Sequence, residues 1–201
     1  MKNDKVKCKN DYNYIRREVI KIVKNACAKR KNYFGSRTWE YHILPVVSHS
    51  LKLGKILKAD LEVLELAALL HDYANLVDNK KFNSQHHKYG AIFAREILEN
   101  LKLPENKINQ VADCIYSHRG SLKIKAKTLE ARILKSADAM SHITELADMF
   151  FLTYGIHRLG SLEGAKWLKE KLRRSWHKIM PEGKKLVRED YIMAIKILNK
   201  K

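Results

Sequence analysis

Apolar residues recur at steps of three and four along nearly the whole chain, and almost nowhere do they alternate. That periodicity belongs to helices packed by one face. Tyr12, Ile15, Val19, Ile22, Val23 and Ala26 make such a face over 12–30, with Lys29, Arg30 and Lys31 in the last turn, where cations suit the helix dipole. A second helix is expected over 39–58, with Pro45 in its first turn or at a kink. Asp60 is placed to cap a third over 61–70, whose ELAALL is apolar nearly all round and therefore buried. Further helices are expected over 84–101, 104–117, 129–152, 161–179 and 184–199. Between them lie a loop at 72–83, a basic loop at 119–127, breaks at Gly155 and Gly160, and a turn at Pro181-Glu182-Gly183. Thr128 can cap the helix that follows it. No strand pattern appears, and 8 Gly with 3 Pro in 201 residues argue against a turn-rich sandwich. A single all-α domain over 1–201 is expected.

Charge restricts the partners. Lys+Arg number 40 against 22 Asp+Glu, a formal net charge of +18. Phosphorylated small molecules, nucleic acid and anionic surfaces are the polyanions to consider. The lysines are not confined to one block, however, and many belong on solvated helix faces. No apolar run approaches the roughly 20 residues that span a bilayer, and MKNDKVKCKNDYNY lacks the apolar stretch of a secretory signal. Cys8, Cys27 and Cys114 are far apart and follow no metal spacing. A reducing, cytoplasmic setting without disulfides is expected.

The chemistry lies in histidines and acids set among apolar residues. His71 and Asp72 adjoin at the end of the most apolar helix, in AALLHDYANL. Two ionisable groups there are costly to bury unless they are paired or bind metal. His42 lies 29 residues earlier, and Asp138 sits in ARILKSADAMSHI beside Ile133, Leu134 and Ala137, where a lone carboxylate does not belong. Imidazoles with carboxylates are ligands for divalent iron, manganese, nickel and zinc. Four such groups from three helices could close around one ion.

In this order the residues resemble the HD-domain superfamily of metal-dependent phosphohydrolases, whose pattern is H…HD…D on a helical bundle. His42 in WEYHILPVV, His71 and Asp72 in AALLHDYANL and Asp138 in ILKSADAM match it. HHKYGAIFAREIL and CIYSHRG are similar to segments of the subgroup with two further histidines, H…HD…H…H…D. The resemblance covers about 39–142 and implies an HD-type bundle with a core over about 39–152, the N-terminal and C-terminal helices packed on it. It implies His42, His71, Asp72 and Asp138 as ligands of a first ion. His86 or His87, with His118, would hold a second ion bridged by Asp72, or would contact substrate phosphate where only one ion binds. Spacing to Gly90 favours His86 slightly. The implied cofactor is one or two divalent ions of Fe, Mn, Ni, Zn or Mg.

The expected activity is hydrolysis of a phosphate ester, of a nucleotide or another small phosphorylated metabolite, by a metal-activated water. Asp72 would both ligate and orient that water. Arg119, next to His118, would grip phosphate with its planar fork, and Lys80, Lys81, Lys123, Lys125 and Lys127 would form a basic rim. His49 lies two turns from His42, about 10 Å along the helix, too far to share its ion. His142, one turn after Asp138, could reach the rim, and both His49 and His142 read as ordinary histidines. Ala139-Met140-Ser141 after Asp138 departs from the charged residues often found there in the family, which leaves the substrate open. Two other activities share features of this pattern. A di-iron oxygenase would use the same ligand order on a C–H bond. A nuclease or nucleic-acid-binding protein would account for +18, although no nucleic-acid motif is present. Oligomeric state is not legible.

Overall fold

Asp60 sets the most buried helix in place. Its carboxylate accepts from the backbone N–H groups of Glu62 and Val63, at 3.1 and 3.2 Å, and it also pairs with Lys107. The helix it opens, Leu61–Leu70, is buried at every position from Val63 onward. Glu65 shares that burial, and it is satisfied rather than stranded. Tyr12 Oη donates to Glu65 Oε2 at 2.5 Å and Arg16 Nε to Oε1 at 2.6 Å.

In the computed structural model, residues 11–29, 31–119 and 124–199 are described. The helices are α1 (Tyr12–Cys27), α2 (Leu44–Leu57), α3 (Leu61–Leu70), α4 (Tyr73–Phe82), α5 (His86–Asn100), α6 (Glu105–Ser117), α7 (Leu129–Thr144), α8 (Leu146–Phe150), α9 (Ser161–Lys178), α10 (Pro181–Leu186) and α11 (Arg188–Leu198). A π-helical turn, Trp39–Ile43, leads into α2, a 3₁₀ turn, Asn83–Gln85, into α5, and a second π-helical turn, Phe151–Ile156, follows α8. No strand occurs among the described residues, so the architecture is all-α. Helix α3 packs against α2, α6, α7 and α1, while α5 lies between α4 and α6, and α9 and α11 pack on α7. One apolar cluster runs from α1 through α3 to α5 and α6. Another joins α7 to α9, α10 and α11.

Four segments differ from the sequence reading. The expected loop at 72–83 is largely helix α4, which follows α3 with hardly a break and is kinked at Asp78 (φ −159°, ψ 93°). The helix expected over 129–152 ends at Thr144. Glu145 leaves helical geometry (φ −95°, ψ 49°) and restarts the chain as α8, while Gly155 lies inside the second π-helical turn. The Pro181-Glu182-Gly183 turn is the start of α10, with Pro181 at a first-turn position that lacks no needed N–H, and Val187 separates α10 from α11. The π-helical turn at Trp39 replaces the first turn of the expected second helix. Pro45 then falls in the first turn of α2.

The ends of these helices converge. Gly90 permits it on one side: a Cβ there would lie 3.3 Å from the His71 carbonyl oxygen and 3.2 Å from Ile115. Helix α5 therefore approaches the end of α3 closely enough to bring its first residue toward Asp72.

Candidate metal centre

His71 and Asp72 are adjacent, yet both face the same point. On a continuous helix neighbouring side chains diverge by about 100°. Here His71 ends α3 in helical geometry while Asp72 turns to φ −107°, ψ 12° before α4 begins. The change of direction at Asp72 is what lets the pair act together.

Around Asp72 the side chains fall into two sets. Its Oδ2 lies 3.6 Å from His42 Nε2 and 3.9 Å from His71 Nε2. Its Oδ1 lies 3.6 Å from His86 Nε2 and 3.8 Å from His118 Nε2. Asp138 Oδ1 stands 3.7 Å from His42 Nε2 and 3.9 Å from His142 Nε2. Three groups with metal-ligand spacing result: His42, His71 and Asp72; His42, Asp138 and His142; and Asp72, His86 and His118.

The opposite nitrogen of each ring is held. His71 Nδ1 donates to the Ala68 carbonyl at 2.7 Å, His86 Nδ1 to Asn83 at 2.9 Å, and His118 Nδ1 to Ile115 at 2.5 Å. All three acceptors lie three residues back, where a helix end or a 3₁₀ turn leaves a carbonyl open. His42 Nδ1 donates to Ser141 Oγ at 3.2 Å, and Ser141 in turn donates to the Asp138 carbonyl. His142 Nδ1 contacts Ser175 Oγ at 3.1 Å. With Nδ1–H committed outward, each Nε2 turns a lone pair inward, which is the tautomer a metal ligand needs. His42 Nε2 and His71 Nε2 approach to 3.1 Å. Two imidazoles about 2.0–2.1 Å from one tetrahedral ion stand roughly 3.3 Å apart.

The charges fit the same group. Burial works to raise the Asp72 pKa, but the imidazoles of His71, His118, His42 and His86 reverse this and hold its carboxyl well below the usual range. Asp138 is likewise held down against burial, by His142, His42 and His71. Burial pushes His71 down to about 4. For His42 and His118, burial is outweighed by Asp72 and Asp138, and both are raised. Among the described residues neither aspartate has a Lys or Arg within 4.0 Å. Two poorly hydrated carboxylates ringed by imidazole nitrogens are a donor set that divalent cations fit.

Of the residues singled out in the sequence, His42, His71, Asp72, His86, His118 and Asp138 come together, from the first π-helical turn and α3 to α7. His87 does not join them. One residue along α5 it points elsewhere, buried against Tyr116 with ring centroids 5.5 Å apart, and its Nδ1 has no partner among the described residues. Arg119 donates to the Ser84 carbonyl, just ahead of His86, and is not among the residues lining the cavity beside the metal groups. Lys123 lies outside the described residues, as does Cys8, while Cys27 and Cys114 are buried and unpaired. His49 sits apart, 3.0 Å from Thr144 Oγ1.

His142, read in the sequence as an ordinary histidine one turn after Asp138 that could reach the rim, stacks on His42, with ring centroids 5.8 Å apart and planes 16° from parallel. Other residues around the site carried no signal in the sequence. Beside the first groups lies a cavity of about 170 Å³. Phe34, Tyr41 and Phe151 give it aromatic walls, and Asn75, Glu145 and Lys171 give it polar ones. Asn75 donates to Asp72 Oδ1 at 3.2 Å. Arg37 Nε lies 2.8 Å from Asp148 Oδ1, and the guanidinium sits over Phe151, 3.9 Å from its centroid.

A family model described as HD domain matches residues 39–143. No curated protein matches the chain. Among solved structures, the crystal structure of a predicted HD superfamily hydrolase from an uncultured Thermotogales bacterium is similar, with 19% identity and a TM-score of 0.65. The match covers 90% of this chain and 88% of that one. At that coverage the shared fold extends beyond the matched segment.

Proposed function

The chain belongs to the HD-domain superfamily, and from that premise we propose that it is a metal-dependent phosphohydrolase acting on a phosphate ester, of a nucleotide or another small phosphorylated metabolite. The observation that carries this reading is the position of Asp72, one carboxylate oxygen turned to His42 and His71 and the other to His86 and His118. His42, His71, Asp72 and Asp138 would hold one ion, with His142 at its edge, and Asp72, His86 and His118 a second. A bound divalent ion would supply Lewis-acid polarisation of a phosphoryl oxygen and lower the pKa of a water to about 7.

The protein's own groups do the rest. Asp72, kept ionised by the imidazoles around it, accepts a hydrogen bond from the attacking water and orients it. Asn75 Nδ2 steadies Asp72 Oδ1. Phe34, Tyr41 and Phe151 offer flat faces for a base or sugar, and the apolar wall of Leu76, Met149 and Leu152 keeps bulk water from that part of the cavity.

Metal analysis and a phosphatase screen test the proposal together. Wild type is expected to bind two equivalents of metal and to hydrolyse a phosphate ester. Asp72→Ala should lose both metal and activity, and His118→Ala should keep about one equivalent. Full occupancy in Asp72→Ala would remove the residue from the centre. Oxygen consumption by an iron-loaded protein that leaves every phosphate ester intact would replace hydrolysis with oxygenation.

A further inference from the structure

Lys171 belongs to α9, well outside the segment 39–143, yet it lines the same cavity as His42, Asp72 and His142. It is partly buried. Burial depresses its pKa, and Asp138 and Asp72 act in the opposite sense, so its ammonium lies within the field of both aspartates. Neither is an ion-pair partner: among the described residues no carboxylate lies within 4.0 Å of Lys171 in a salt bridge, whereas Arg37, across the cavity, is taken up by Asp148.

Like charges surround it. Arg174 and Lys178 follow at i+3 and i+7, on the same face of α9. Both oppose the charge on Lys171, and Lys135 of α7 opposes that on Lys178. A column of cations against a partly buried wall is unfavourable without anions to face it. Asp72 and Asp138 provide those anions only while their charge is unspent. Divalent ions at the ligand groups would use it up and leave Lys171 a cation beside cations. An anionic group entering the cavity restores the balance.

We propose that Lys171 binds an anionic oxygen of the substrate's reacting phosphate, in the cavity it lines with His42, Asp72 and His142. The assignment rests on the phosphohydrolase reading above and adds to it a residue from outside the HD segment. The role is that of a point charge, which a compact ammonium on a flexible stem performs without the bidentate geometry of arginine.

The test uses inorganic phosphate as the probe. Its affinity is measured calorimetrically for metal-loaded wild type, Lys171→Met and Lys171→Arg, with metal content determined on each sample and kinetics measured on the best substrate of the screen. A charge-assisted contact predicts that Lys171→Met keeps wild-type metal content, binds phosphate at least about tenfold more weakly and loses kcat/KM to a similar degree. Lys171→Arg should recover most of both, and it carries the test alone should the methionine variant fail to fold: an arginine variant that folds but binds phosphate no better than a wild type denied metal would overturn the assignment. So would Lys171→Met binding phosphate as tightly as wild type. Loss of metal from Lys171→Met would also overturn it, because the residue would then support the ligand cage. The two readings fail separately. A wild type that binds phosphate through Lys171 but cleaves no phosphate ester loses the phosphohydrolase reading and keeps Lys171. Undiminished hydrolysis by Lys171→Met does the reverse.

Discussion

His86 and His87 are consecutive, equally able to ligate, and differ only in direction. The first residue of α5 meets Asp72 because its Nδ1 is fixed by Asn83 and because Gly90, one turn on, lets the helix approach His71. The second turns away to Tyr116, and burial pushes its pKa down to about 4. His86→Ala should therefore lower metal stoichiometry by about one equivalent and His87→Ala should leave it unchanged, both read by metal analysis. The reverse result would place the second group on the other face of α5. At this scale the sequence was informative about residue types and poor about direction. His71, Asp72 and Asp138 could be singled out because polar groups in apolar surroundings need a reason, and His42 and His118 by their place in the HD pattern. His142 looked like any histidine, since nothing in the sequence shows that it stacks on His42. Lys171 is one of many lysines, and only the fold sets it beside the cavity.

Among the elements, α3 could be read from its sequence to the residue, because an apolar run and a capping aspartate agree. Asp60→Ala should destabilise the protein by about 0.5–2 kcal/mol through loss of the cap alone, measured by urea unfolding. The effect depends on pH. Burial favours a raised pKa, but Lys107 and the backbone amides of Val63 and Glu62 outweigh it and lower the Asp60 pKa below 3.8. The ionised form thus belongs to the folded state. Its contribution is fully present above the ordinary carboxylate pKa and is lost as pH falls through the lowered one. Wild type and Asp60→Ala should converge in stability below that range, and a gap unchanged at low pH would mean the carboxylate charge is irrelevant. Helix α4 was illegible for the opposite reason. DYANLVDNKKF has no continuous apolar stripe, and its helix is imposed by packing on α1 and α5. The break at Glu145 carries no Gly or Pro to announce it, although it turns the chain to build the cavity wall through Met149, Phe151 and Leu152.

Taken whole, the molecule gathers the candidate ligands from the first π-helical turn, the α3–α4 junction, α5, the end of α6 and α7 into one place. An ion bound there cross-links elements that the unfolded chain cannot hold together. At 100 times its dissociation constant, metal should add about 2.7 kcal/mol, a rise in Tm of roughly 5–10 °C for a chain of this size. Thermal unfolding with metal and with chelator measures it. His71→Ala should show little metal-dependent shift, and an equal shift in that variant would place the stabilising ion elsewhere. The histidine cage has a second property. Three of its rings are aimed by main-chain carbonyls, those of Ala68, Asn83 and Ile115, and no single side-chain replacement deletes a carbonyl. The cavity wall, by contrast, comes largely from side chains around residues 34–41, on α8 and the second π-helical turn, and from Lys171 of α9. Mutation can redraw the wall without disturbing the aim of those rings. A lineage built on this plan is free to exchange substrates while its chemistry stays in place.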